Sequence, residues 1–77
     1  MRKLKAAIAA KRERDPKFTG TTYAISRLCK GVSHQMVENL LAGTTPPWNV
    51  RVSTQQELCR VFKGRGLKPT DFYRPAA

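Results

Sequence analysis

His34, Gln35, Glu38 and Asn39 fall on one side of the stretch from Ser33 to Ala42, and each ends in a hydrogen-bonding group. Val37, Leu40 and Leu41 fall on the other side, the spacing of an amphipathic helix. The polar face carries little bulk, so it suits contact with another hydrogen-bonding surface better than enclosure of a small substrate. Catalysis is not expected. The chain has one histidine, and its acids are Glu13, Asp15, Glu38, Glu57 and Asp71. No nucleophile is paired with a base at usable spacing, and there is no glycine-rich phosphate loop. Cys29 and Cys59 sit in apolar patterns rather than a C-x-x-C pair, and with a single histidine a zinc site lacks ligands. Both are expected to be reduced thiols acting as small buried apolar residues. Neither a metal nor a cofactor nor a small-molecule substrate is expected.

Net charge narrows the partner. Fifteen Lys and Arg against five Asp and Glu give +10 on 77 residues, a field that attracts polyanions and speeds their encounter. Nucleic acid, an anionic membrane surface and an acidic protein all fit that field, and charge also serves solubility alone. The longest apolar run, Ala6–Ala10, is too short to span a bilayer, and no signal-peptide apolar region follows the basic start. A cytoplasmic protein is therefore expected. Leu4 and Ile8, the large apolar residues of the first segment, give too little area for anchoring on a membrane surface.

The elements that must position the polar face read as all-α, in one domain spanning residues 1–77. Leu4, Ala7, Ile8 and Lys11 follow helical spacing from Arg2 to Arg14, and Asp15-Pro16 stops that helix. A second helix starts at Thr21 or Thr22, either of which can cap it, and turns Ala24, Ile25, Leu28 and Cys29 inward until Lys30-Gly31. Ser33 caps a third helix, which Gly43 ends. Residues 44–51, with Pro46-Pro47, read as a loop. Trp48 within it either packs over the core or lies in a dimer interface. A fourth helix starts at Ser53 or Thr54, where Thr54 and Glu57 match a capping box, and buries Leu58, Val61 and Phe62 until Gly64 and Gly66 close it. Residues 69–73 fit one short final turn of helix anchored by Phe72, and residues 74–77 a frayed tail.

Residues 22–43 thus read as helix, turn and helix, the arrangement in which a second helix lies in the DNA major groove. Gly31 permits the sharp turn, Val32 and Val37 lock the two helices, and Ser33 opens the reading helix. The sequence Gly-Val-Ser-His-Gln-Met-Val-Glu-Asn-Leu-Leu-Ala-Gly at 31–43 resembles the turn and recognition helix of the Cro/cI-type (XRE-like, lambda-repressor-like) family. The stretch from Leu58 to Phe72 is similar to that family's fourth and fifth helices. The resemblance implies a compact five-helix domain and a sequence-specific transcriptional regulator, a repressor of phage or mobile-element type, bound to a double-stranded operator as a homodimer. It further implies that His34, Gln35 and Asn39, with Ser33, read bases. The chain departs from the family where Ser26 precedes Gly31 by five positions rather than four, and where the loop from Thr44 to Val52 is longer.

Thr21, Thr22 and Ser33 lie at helix amino ends, where N–H groups and the helix dipole favour a phosphate, although ordinary capping also accounts for them. Arg27 and Lys30 flank the turn and Arg51 follows the loop, which makes them the first candidates for phosphate contact. Lys3, Lys5, Arg12 and Arg14 form a second basic surface. Glu38 is expected to brace an arginine. Two other roles fit the composition. One is an antitoxin or other interaction module of the same fold. The other is a basic RNA-binding protein, against which Phe18, Phe62 and Phe72 read as core residues rather than stacking platforms.

Overall fold

The apolar spacing of the first segment winds into α1 (Arg2–Arg14) in a computed structural model that describes residues 1–75. Leu4, Ala7 and Ile8 are its buried stripe, and Asp15, held extended ahead of Pro16, terminates it. α2 (Thr22–Leu28), α3 (His34–Ala42) and α4 (Val52–Val61) follow. Two 3-10 turns, Pro47–Asn49 and Pro69–Phe72, complete an all-helical architecture, with no strand among the described residues.

The core lies where these elements converge. Phe62 and Phe72 are the largest fully buried side chains, surrounded by Leu4, Ile25, Val37, Leu40 and Leu58. Phe18, in the α1–α2 connection, meets Phe62 edge-on, with centroids 6.1 Å apart and planes at 73°. Lys11 lies over the outer ring of that pair, 5.4 Å from the Phe18 centroid. The Met1 ammonium donates to the Leu40 carbonyl at 2.7 Å, joining the start of α1 to the last turn of α3. α3 is therefore gripped through both its apolar face and its carboxyl end.

The short final turn expected at residues 69–73 is present as a 3-10 turn with Phe72 buried, opened by Pro69 and tied by the Lys68 N–H donating to the Asp71 carboxylate at 2.8 Å, so the α-helices number four among the described residues and not five. Several other local expectations are corrected. The expected loop contains a 3-10 turn of its own because Pro47 stands at its first position, where a missing N–H costs nothing. α2 stops at Leu28, so Cys29 reaches the core from an extended cap while Leu28 is 44% exposed. α4 starts at Val52, not at Ser53 or Thr54, and Arg51 is its cap residue without a side-chain cap bond. Thr54 is instead buried within the first turn, and Glu57 accepts from the Lys30 N–H in the segment between α2 and α3. Leu41 and Val61 are half-buried rather than fully inside. Trp48 remains 40% exposed. Of the tail expected at 74–77, residues 76 and 77 lie outside the described residues.

Burial sets the energetic scale. Leu58→Ala removes a fully buried side chain from the centre of the core and is expected to cost ~2–5 kcal/mol. Val52→Ala, at a 65% exposed site in the same helix, is expected to change stability by no more than ~0.5 kcal/mol. Urea denaturation of both variants checks this, and similar midpoints for the two would contradict the assigned core.

Candidate nucleic-acid interface

Residues 29–33 carry the chain from α2 to α3. Gly31 sits at φ +71°, a left-handed conformation that side chains with a Cβ disfavour. A Cβ built there would meet nothing within 4 Å, so the demand for glycine comes from the backbone and not from crowding. Val32 is buried beside fully buried Val37, which locks the turn onto α3. Ser33 then caps α3, accepting from the Met36 N–H at 3.1 Å.

Polar groups of α4 hold the same turn. Glu57 accepts the Lys30 backbone N–H at 2.8 Å and two bonds from the Arg60 guanidinium at 2.9 and 3.1 Å. Arg60 in turn donates to the Leu28 carbonyl, the end of α2, at 2.8 Å. The Arg60 bonds, then the Lys30 N–H, pull the Glu57 carboxyl down from its ordinary 4.5 to about 2. Burial and the nearby Glu57 charge push the Cys29 thiol up to about 11, and burial also raises that of Cys59. Both cysteines are free, with Cys29 buried and Cys59 half-buried. Among the described residues no cluster of His, Cys, Asp and Glu could hold a metal ion.

The outer face of α3 is arranged in pairs. The Gln35 amide donates to the Asn39 side-chain carbonyl at 3.2 Å, one helical turn away. Gln35 keeps its own carbonyl and Asn39 keeps its amide N–H groups, an acceptor and a donor side by side. His34 stacks on Tyr23 of α2, with ring centroids 4.3 Å apart and planes inclined by 23°. Ser33, Asn49 and Arg51 meet around a depression of about 260 Å³, with Gly31, Val32, Met36 and Thr54 forming the rest of its wall. Arg51 is thereby brought to the amino end of α3, although eighteen positions separate it from Ser33 in the sequence.

The remaining candidates are distributed differently. Thr21 caps α2, accepting from the Ala24 N–H at 3.1 Å, whereas Thr22 is a half-buried first-turn residue and caps nothing. Lys30 is exposed beside the turn. Arg27 lines a separate depression with Asp15, Lys17 and Phe18, apart from the one that holds Arg51. Glu38 is exposed and braces no arginine, because Arg60–Glu57 is the one ion pair among the described residues. Most of the positive charge is accordingly left without an acidic partner. Tyr23, Asn49, Glu57 and Arg60 were not anticipated as parts of this site. Tyr23 stood outside the apolar stripe of its helix, which was the available signal. No protein-family model matches the chain, and comparisons with curated proteins and with solved structures likewise find no match.

Two outcomes follow from the geometry of the turn. Gly31→Ala is expected to cost ~1–2 kcal/mol from its backbone conformation, with Gly31→Asn losing less in the same thermal melt; equal losses would point to contacts instead. The Glu57 contribution is complete above pH 4.5 and disappears as pH falls from there through about 2, since the folded carboxyl is the stronger acid. The stability gap between the native chain and Glu57→Gln is therefore expected to shrink across that interval in acid titrations. A gap that stays constant would separate Glu57 from acid unfolding.

Proposed function

We propose that this chain is a sequence-specific regulator of double-stranded DNA, a Cro/cI-type repressor of lambda-repressor-like fold, whose α3 lies in the major groove. The observation that carries this reading is the outward hydrogen-bonding face of α3, with Gln35 and Glu38 exposed and His34 and Asn39 half-buried, anchored by a core behind it and by the Glu57–Arg60 clamp on its turn. Ser33, His34, Gln35 and Asn39 then read bases. The free acceptor of Gln35 and the free donors of Asn39 complement the N6–H and N7 of adenine.

Anchoring falls to Thr21, Thr22, Arg27, Lys30 and Arg51. Arg51 shares a depression with Ser33 at the start of the reading helix, and the uncapped amino end of α4 beside it offers N–H groups to a phosphate. In the five-helix scheme the 3-10 turn at Pro69–Phe72 takes the place of the last helix. The protein acts without catalysis and without a cofactor, pairing as a homodimer on half-sites about one helical turn, or roughly 34 Å, apart. Operator occupancy then excludes polymerase in the cytoplasm of a bacterial host. No helix among the described residues is long and apolar enough to cross a membrane.

One observation favours a second reading, RNA binding. Phe18, Phe62 and Phe72 are core residues, but Tyr23, Trp48 and Tyr73 are exposed and offer surfaces on which unpaired bases can stack. An antitoxin role is compatible with the same DNA-binding face and gains no separate support.

Selection from a random double-stranded DNA pool at near-physiological salt tests the first reading. Enrichment of one motif with related half-sites is the expected result. Binding without a motif, outcompeted by single-stranded RNA, would favour the second. Gln35→Ala is expected to cost ~1–3 kcal/mol on the enriched site and to relax preference at one base pair. Equal losses on scrambled DNA would remove Gln35 from the reading set. Arg51→Ala is expected to weaken binding to all sequences and to flatten the salt dependence by ~1 unit of slope. An unchanged slope would place Arg51 away from phosphate.

A further inference from the structure

We propose that Tyr23 is a specificity-determining residue that acts with His34 as one composite reading unit, taking the 5-methyl group of a thymine beside the base contacted by the imidazole. The inference rests on the DNA-reading role proposed for α3.

The geometry gives the pair a job beyond packing. Tyr23 is 58% exposed and belongs to α2, while His34 opens α3, so the stack bridges the turn between two helices. At 4.3 Å and 23° the rings lie nearly face to face, which leaves their edges at the rim. No hydrogen bond from the described residues orients the imidazole, so the tyrosine ring is what fixes its plane. A ring held in this way presents its nitrogen edge without first losing rotamer freedom. One face of Tyr23 is covered by His34, and the exposed remainder of its ring adds apolar carbon beside the imidazole. Apolar carbon is what recognises a thymine methyl in the major groove, and a polar edge is what recognises a neighbouring base atom. Within the pair, the Tyr23 ring supplies the first and the imidazole of His34 the second.

The neighbouring groups agree with that division. Gln35 and Asn39 are bonded to each other farther along α3 and do not compete for the imidazole. Tyr23 lies outside the buried core, so its replacement tests recognition without emptying the interior.

The experiment uses the full chain and the operator enriched by the native protein. Thymines in that operator are replaced singly by deoxyuridine, which removes only the methyl group. At one position the native protein is expected to lose about fourfold in affinity, the worth of one buried methyl group. Tyr23→Ala is expected to bind thymine and deoxyuridine there equally and to lose preference at the base pair read by His34. Tyr23→Phe keeps the ring and is expected to retain both preferences. The losses in Tyr23→Ala, His34→Ala and the double variant are expected to be non-additive. Additive losses, or a Tyr23→Ala variant that weakens all DNA equally, would overturn the composite unit while leaving the reading role of α3 intact. If the native protein enriches no motif, the reading role itself fails and this inference falls with it. Thermal melting of each variant separates lost recognition from lost fold.

Discussion

The Glu57 carboxylate, reaching across from α4 to the Lys30 backbone N–H, is the contact that sets the course of the turn leading into α3. Where a helix ends and the next has not begun, backbone polar groups lose their helical partners and must find others. Here one ion pair supplies two of them, an acceptor for Lys30 and, through Arg60, a donor for Leu28. Apolar burial could not do this, because it rewards contact without fixing direction. Val32 and Val37 decide that the two helices stay together. The clamp decides where the chain between them runs.

Directional control matters because the surface it aims is already organised. Gln35 and Asn39 are joined to each other, and His34 is laid against Tyr23. Side chains restrained before an encounter have less freedom to lose in it. Among the described residues the positive charge is almost wholly without an acidic partner, so it remains available to an outside anion. The structure thus keeps its short-range order on the α3 face and its long-range attraction spread over the surface, two properties that draw on different residues.

Features governed by neighbouring residues were legible in the sequence. α1 runs from Arg2 to Arg14 as its spacing indicates, Ser33 caps α3, and Gly43 ends it in a left-handed conformation. Phe62 and Phe72 are in the core, and Gly31 is the turn glycine. The misreadings came from distance. Thr54 and Glu57 had capping-box spacing, but the true partner of Glu57 lies 27 positions earlier. Leu28 matched the apolar stripe, yet the helix stops at that residue and turns it outward. The Tyr23–His34 stack and the approach of Arg51 to Ser33 required the helices to be folded against one another, which no local pattern encodes.

Separation of duties along α3 has a consequence for how such a protein changes over time. Val37 and Leu40 belong to the core and the Met1 ammonium holds the helix end, so those positions are bound to the fold. The outer residues owe the fold little, and their replacement need not wait for a compensating change inside. Gln35 and Asn39 are bonded to each other, so altering one frees the other to take a new partner, and water meets the released group at this surface. Change on this face is therefore cheap for the scaffold, while its effect on the arrangement of the face is shared between the two paired residues.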